Sequence, residues 1–183
     1  MVDAIVVLPP APAASALTVD KAGALSEGTL GVLLGTLAGR PGPVPKYRYP
    51  SAGTLYPVQT YVIQRQRLGT LGPGSYYYDP DAHALAMLSS DAPAAPDGAT
   101  PAVLLVLVAQ LSAIEPIYRD EAEAFCLLEA GYMGEALHQT AAGLSLRDAG
   151  DPADGDTAAL AAALRLDPSH RPLVCWALEA ADR

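Results

Sequence analysis

Hydrophobic positions recur with two different periods along the chain, and the two periods predict strands and helices. Stretches rich in β-branched and aromatic residues, with alternating polarity, predict strands. A continuous apolar run over 101–110 instead predicts a central strand that is covered on both faces. The predicted strands span 2–8, 58–66, 75–79, 84–88, 101–110 and 171–179.

Apolar residues with three-and-four spacing predict three helices, over 27–38, 119–144 and 157–166. Ser26 is a suitable N-cap for the first of them. The second carries two apolar stripes, which is typical of a central helix that faces the sheet on one side and a partner subunit on the other. Because strands and helices are intermixed, we expect an α+β fold built on one sheet. Residues 1–183 are predicted to form a single domain, in which 1–23 are an N-terminal strand and connector.

Composition and charge restrict the classes of partner. The chain is 51% hydrophobic and carries a formal net charge of −9. This acidic balance, without any basic stripe, argues against nucleic-acid binding. The apolar run over 102–109 is too short to cross a bilayer, and no basic residue precedes the apolar start of the chain. We therefore predict a cytoplasmic protein without a membrane partner.

Residue types that ligate metals are scattered. Cys126 and Cys175 lie in apolar segments, no CxxC pair occurs, and the three histidines are far apart in sequence. The cysteines are therefore predicted to be buried structural residues, and no metal site is expected. Four aspartates between 148 and 156 do not match the EF-hand spacing, so a solvated loop is predicted there.

The segment 49–57, Tyr-Pro-Ser-Ala-Gly-Thr-Leu-Tyr-Pro, contains the strongest candidate for chemistry. Pro50 and Pro57 bracket it, and Gly53 permits close approach of the backbone to a second group. Two interpretations stay open from spacing alone. The segment is either a plain strand entry or a ligand-binding loop held at the start of a strand.

These residues resemble a known family, the SagB-type azoline dehydrogenases of the nitroreductase superfamily. Three motifs carry the resemblance in the expected order over roughly residues 25–178. They are Pro-Ser-Ala-Gly followed by Tyr-Pro in 50–57, Gly-x-Tyr-x-Tyr-Asp-Pro in 74–80, and Leu-Leu-Glu-Ala-Gly in 127–131.

The resemblance implies a nitroreductase-like fold that dimerises through the long helix, with FMN at the subunit interface. It also implies oxidation of thiazoline or oxazoline rings in a peptide or carrier-bound substrate, alongside partner enzymes of natural-product biosynthesis. The implied cofactor-binding residues are Pro50, Ser51, Ala52 and Gly53. The protein would position and tune the flavin, which performs the redox chemistry.

The sequence departs from the family at several functional motifs. The Arg-Arg-Ser-x-Arg segment that clamps the FMN phosphate is absent before the first helix, so Arg48, with Arg40 and Lys46, is the candidate substitute. The family's Lys-Tyr pair, associated with proton transfer, is replaced by Ile117 and Tyr118. Tyr118 is the candidate acid or base.

Three further family motifs are replaced. Glu123-Ala124 occupies the position of the family's Tyr-Arg pair, and Glu135-Ala136 occupies that of its Gln-Asn pair. An acidic segment at 147–152 replaces the Gly-Gly-Phe loop that covers the flavin.

Three hypotheses follow from this pattern. The first is an FMN-dependent dehydrogenase of heterocyclised peptides. The second is a flavin-free family member that binds a peptide or a partner enzyme, and the third is a non-redox reaction in the former flavin cleft. Glu129 is predicted to serve packing or the dimer interface, and one ring of Tyr76-Tyr77-Tyr78 is a candidate lining for the substrate entrance.

Overall fold

Seven strands and four helices make up the described part of the chain in this computed structural model, which describes residues 4–8, 25–40, 42, 46–91, 103–148 and 157–180. The strands are β1 (Ala4–Val7), β2 (Val58–Gln64), β3 (Gly74–Asp79), β4 (Ala84–Ser89), β5 (Val103–Gln110), β6 (Leu146–Asp148) and β7 (His170–Ala180). The helices are α1 (Glu27–Gly35), α2 (Leu111–Tyr118), α3 (Ala122–Gly143) and α4 (Thr157–Ala163).

The strands form one sheet in the order β1-β4-β3-β2-β5-β7-β6, and every neighbouring pair is antiparallel. The apolar strand β5 lies between β2 and β7, with Val62 of β2 opposite Leu105. On its other side, the register between β5 and β7 shifts between Leu107 and Val108, where Pro172 is the partner of Val108. Proline lacks the N–H that a regular ladder needs, so its position at an irregularity is physically reasonable.

Side chains of β5 alternate between two apolar cores on opposite faces of the sheet. Leu105 and Leu107 belong to the core that contains α1 and the buried face of α3. Leu104 and Val106 belong to a smaller core that contains α4. The sheet is therefore the middle of three layers, as the continuous apolar run of β5 predicts. The expected α+β fold with a mostly antiparallel sheet is confirmed.

The start of the long helix differs from the prediction. A separate helix, α2, precedes it and ends at Tyr118, and a 3₁₀ turn over Arg119–Glu121 follows. Arg119 has φ 47° and ψ −123°, which no α-helical residue adopts, so the two helices cannot be continuous. The prediction of a continuous helix over 119–144 was therefore wrong at its first three residues, and it missed α2. The apolar residues of α2 and α3 have a spacing that is compatible with one helix, and no glycine marks the break.

Smaller differences concern element ends. Helix α1 ends at Gly35 instead of residue 38, and β2 ends at Gln64 instead of residue 66. The residues 147 and 148, predicted as loop, belong to the short strand β6. Most of the predicted connector in 1–23 and residues 149–156 of the predicted acidic loop lie outside the described residues.

Both cysteines are buried, as predicted, and neither forms a disulfide bond within the described part of the chain. Helices in the described part of the chain lack the combination of length and apolar character that a bilayer crossing requires.

Candidate functional site

The loop between Tyr49 and β2 has an unusual backbone. It contains a 3₁₀ turn over Ala52–Thr54, in which Gly53 has φ +59°. Thr54 and Tyr56 also have positive φ, at 58° and 49°. For a residue with a Cβ this conformation costs roughly 1–2 kcal/mol. Two such residues in one loop indicate that the surrounding structure imposes the shape, a feature that is common at functional sites.

Hydrogen bonds to both ends fix the shape of this loop. The Ser51 Oγ accepts a hydrogen bond from the Tyr56 N–H at 2.9 Å, which closes the loop on itself. At its far end, the Pro57 carbonyl accepts from the Gln110 N–H at 2.8 Å, where β5 meets α2. The loop is thus attached to the central strand of the sheet. The Ser51 hydroxyl therefore serves the loop itself: its oxygen accepts from the Tyr56 N–H, and its proton faces the carboxylate of Glu129.

Glu129 of α3 lies beneath the loop and is 2% exposed. Its Oε1 accepts a hydrogen bond from the Val58 N–H at 3.1 Å. Its Oε2 is buried and has no hydrogen-bond partner among the described residues. Burial raises the pKa of this carboxyl group to about 7, although the nearby Ser51 hydroxyl and the Val58 N–H act in the opposite direction. A carboxyl group with a pKa near neutrality is unusual and is characteristic of functional sites.

The burial of Glu129 is consistent with the predicted packing role. It is not consistent with a role in the dimer interface, because the chain itself already covers the side chain. Sequence reasoning missed the contact with the loop because residues 58 and 129 are far apart along the chain. The available signal was an acidic residue within an otherwise apolar helical stripe.

Tyr118 lies directly against Gly53. A Cβ placed on Gly53 would be 3.0 Å from the Tyr118 hydroxyl oxygen and 3.7 Å from its ring. The ring of Tyr118 in turn packs on Phe125, with 4.6 Å between the ring centroids and 56° between the planes. Two residues selected separately from the sequence therefore meet in one place. Arg119, which follows Tyr118, has positive φ, so the backbone is strained on both sides of the contact.

The loop also has unused backbone donors. The N–H groups of Ala52 and Gly53 make no hydrogen bond with any described residue. Gly53 is exposed and Ala52 is half-buried, so an external acceptor can approach both. Pro50 is exposed at the start of the loop. These two N–H groups can therefore donate to two acceptor atoms, or jointly to one, of a flat group that lies over the glycine.

Arg48 is exposed and makes no hydrogen bond or ion pair with a described residue. The other two candidate phosphate ligands, Arg40 and Lys46, are also exposed and are joined by an antiparallel backbone bridge. All three cations thus lie on the same segment that leads into the loop. Ile117, at the position of the family's lysine, is 61% exposed.

No protein-family model matches the chain. Two curated relatives are indigoidine synthases, one from Streptomyces lavendulae (35% identical over 107 residues) and one from Dickeya dadantii (34% identical over 90 residues). The matches cover 57% and 49% of this chain. They cover only 8% and 6% of the two synthases, which are far longer proteins.

Three solved structures share the fold. A chain of the E. coli microcin synthetase McbBCD complex with truncated pro-MccB17 bound superposes with a TM-score of 0.73 and 21% identity, over 87% of this chain and 65% of that one. A protein from Ralstonia eutropha described as a nitroreductase gives 0.72 and 20%, over 98% and 90% of the two chains. Another from Anabaena variabilis gives 0.70 and 24%, over 83% and 34%. The chain therefore has the nitroreductase fold.

Proposed function

We propose that this chain is an FMN-dependent dehydrogenase that oxidises thiazoline or oxazoline rings of a peptide or carrier-bound substrate. The observation that carries the proposal is the contact between Tyr118 and Gly53, beside two unused N–H donors, in a nitroreductase fold. It combines a flat surface, hydrogen-bond donors and a phenol at one place. The matched chain of the microcin synthetase complex, whose structure contains a truncated pro-MccB17, supports the peptide class of substrate.

The residues of the loop fit the edge of an isoalloxazine ring. Its carbonyl oxygens and ring nitrogens are acceptors, and the free N–H groups of Ala52 and Gly53 are donors. The absence of a Cβ at Gly53 leaves room for the Tyr118 hydroxyl to lie against the loop beside these donors. Ser51 holds the loop in the shape that presents these donors, through its hydrogen bond with the Tyr56 N–H. Pro50 restricts the backbone at the entrance of the loop.

The phosphate of FMN requires cations, and Arg48 is the proposed partner. It is exposed, is not engaged by any described residue, and lies three residues before Ser51. Arg40 and Lys46 on the same segment supply additional positive charge. A guanidinium group can bind a phosphate through two parallel hydrogen bonds, which makes Arg48 better suited than the lysine.

A bound FMN would accept a hydride from the substrate ring. The residues of this chain would orient the ring and handle the proton that must leave the azoline during oxidation. Tyr118 is the proposed acid or base, since its hydroxyl lies next to Gly53 and makes no hydrogen bond with a described residue. The family's lysine neighbour is replaced by the exposed Ile117, so Tyr118 would act without it.

The proposed enzyme is a homodimer joined through α3. One stripe of this helix is apolar and exposed, with Leu127 at 51%, Leu128 at 59% and Tyr132 at 51%. Gly131 lies in the same stripe, and no atom would lie within 4 Å of a Cβ built there. Large exposed apolar side chains clustered on one helix face are typical of a protein interface. A second copy would cover this surface with the same residues, as two-fold symmetry requires.

Partner enzymes are also proposed. The matched part of each synthase is a small fraction of its length. We therefore propose that this chain works with other enzymes of a biosynthetic assembly in the cytoplasm, and that residues 1–183 act as one domain.

A second candidate is a flavin-free subunit that binds a peptide or a partner enzyme. The exposed Ile117 favours it, because an apolar side chain stands where the dehydrogenases have a catalytic cation. The same scaffold would then serve recognition, or a non-redox reaction in the former flavin cleft.

Flavin binding decides between the two. The purified protein is examined for the absorption bands of bound flavin, and any released chromophore is identified. The apoprotein is then titrated with FMN and with riboflavin, which lacks the phosphate. We expect stoichiometric FMN binding, weaker riboflavin binding, and loss of the difference between them in Arg48→Ala. A colourless protein that takes up neither compound would exclude the dehydrogenase.

A further inference from the structure

A tyrosine-lined cavity lies behind the loop, at the ends of β2 and β3. Its volume is about 110 Å³, which is room for several water molecules or for one small organic group. Five tyrosines contribute to its wall: Tyr47, Tyr49, Tyr56, Tyr77 and Tyr78. The cavity thus contains more than half of the nine tyrosines of the chain. Neither Gly53 nor Tyr118 lines the cavity, so it is separate from the proposed flavin surface.

Three of the rings form a contacting group. Tyr47 and Tyr56 meet edge to face, with centroids 4.3 Å apart and planes at 65°. Tyr49 lies 5.6 Å from Tyr47 at 26° and 5.8 Å from Tyr56 at 86°. The rings therefore differ in orientation around the cavity and fix one another in place. Such a wall can bind a ligand group against the faces of its aromatic rings, and it needs little rearrangement on binding.

Carboxylates act on the wall of this cavity, whereas Lys46 and Arg48, which flank Tyr47 along the chain, are exposed. None of the residues that line it is Lys, Arg or His. Asp81 accepts a hydrogen bond from the Tyr47 hydroxyl at 3.1 Å, and Asp79 lies at the end of β3. Burial, and then Asp79 and Asp81, raise the pKa of Tyr77. The two carboxylates therefore act on the cavity wall itself and oppose a second negative charge there.

A negative charge also acts on the inner side of the cavity. After burial, the charge of Glu129 is the main cause that raises the pKa of Tyr49. The Nδ1 of His83 lies 2.8 Å from the hydroxyl of the lining residue Tyr78. Burial likewise raises the pKa of Tyr47 and of Tyr78, so these rings keep the electron-rich faces that attract cations.

We propose that this cavity binds an ammonium group, primary or methylated, on a small molecule or a side chain. Aromatic side chains with no lysine, arginine or histidine among the lining residues, and carboxylates that act on the wall, are the features that recognise organic ammonium ions. The volume matches such a head group and excludes a larger ring system. The proposal does not rest on flavin binding, since it uses different residues.

Choline and its uncharged carbon analogue, dimethylbutanol, test the charge requirement, because they have nearly the same shape. Calorimetric titration of the full chain is expected to give choline a dissociation constant at least about tenfold lower than that of the alcohol. Added sodium chloride should weaken choline binding by screening the carboxylates. Equal affinity for both compounds, or binding of neither, would overturn the proposal.

Two variants locate the site. Tyr56→Leu keeps an apolar side chain but removes one ring, and Asp81→Asn removes a charge at constant size. Each is expected to weaken choline binding by about fivefold or more. Asp120→Asn removes the same charge from a residue outside the cavity and should leave the affinity unchanged. Thermal melts confirm folding; if Tyr56→Leu fails to fold, Asp81→Asn alone decides. Wild-type affinity in Asp81→Asn would refute the assignment.

Discussion

The Oε1 atom of Glu129 lies 3.1 Å from the Val58 nitrogen and accepts its hydrogen bond. This contact joins the central helix α3 to the residue where the loop becomes strand β2. Because Glu129 is 2% exposed, water cannot replace it as an acceptor. The shape of the loop therefore depends on one side chain that is far away in sequence.

Replacing this carboxylate should destabilise the protein. Glu129→Ala leaves the buried Val58 N–H without an acceptor and opens a cavity, so we expect a loss of about 2–4 kcal/mol in the free energy of unfolding. Glu129→Gln retains an acceptor oxygen at similar volume and should cost less than the alanine variant. Urea denaturation of the three proteins measures both differences. Equal stability of Glu129→Ala and the wild type would show that the hydrogen bond does not hold the loop.

The same residue predicts a pH dependence of stability. Its pKa is about 7 in the folded chain against an ordinary value of 4.5, because burial disfavours the charge. Between these values the folded chain keeps a proton that the unfolded chain releases. The free energy of unfolding should therefore fall as pH rises from about 4.5 to about 7, by on the order of 3 kcal/mol, and level off above.

Melts of the wild type and Glu129→Gln across this range isolate that contribution, which the glutamine variant lacks. Its neighbours Tyr49 and Cys126 do not titrate in the window, since burial raises the pKa of each above its ordinary value. Parallel pH profiles of the two proteins would contradict the prediction.

Local pattern was sufficient to predict six of the seven strands, but not the short strand β6. The unbroken apolar run in 101–110 predicts burial on both faces, and β5 is buried on both faces. The alternation in 58–66 gives no sign that β2 is buried on both faces as well. The break between α2 and α3 was not predictable in this way. It depends on the backbone of Arg119, a residue whose type gives no sign of positive φ.

The site was predictable as a segment but not as an arrangement. Proline and glycine in 50–53 marked a constrained loop, and Tyr118 was selected by resemblance alone. Their meeting at Gly53 depends on how α2 packs, which is a tertiary property. Glu129 beneath the loop and the tyrosine cavity behind it arise in the same way, from residues brought together only by the folded sheet.

Gly53→Ala should impair flavin binding more than folding. The added methyl group would stand 3.0 Å from the Tyr118 hydroxyl, at φ +59°. Strain of this kind costs about 1–2 kcal/mol, and the methyl group also occupies the surface proposed for the ring. Thermal melts and FMN titration measure the two effects. Gly143→Ala is the control, since a Cβ there meets no atom within 4 Å. Unchanged FMN affinity in Gly53→Ala would remove this residue from the proposed site.

The exposed stripe of α3 predicts the oligomeric state. Leu128→Glu introduces a charge where the side chain is 59% exposed, so it should leave the fold intact and disrupt an apolar interface. Analytical ultracentrifugation should show a dimer for the wild type and a monomer for this variant. Val7→Glu makes the same kind of change on β1, where the side chain is 71% exposed, and should remain dimeric. A wild-type monomer at all accessible concentrations would disprove the proposed interface.

Tyr118→Phe separates catalysis from binding. The substitution removes the hydroxyl next to Gly53 and keeps the ring that packs on Phe125, so stability and FMN affinity should change little. If the hydroxyl transfers the proton, the rate of azoline oxidation should fall by about 10²–10⁴-fold, whereas KM changes much less. The reaction is followed by mass spectrometry as the loss of two hydrogens from a thiazoline peptide. The control is Tyr132→Phe, which alters an exposed phenol on α3 without touching the loop. A wild-type rate in Tyr118→Phe would assign the proton transfer to another group.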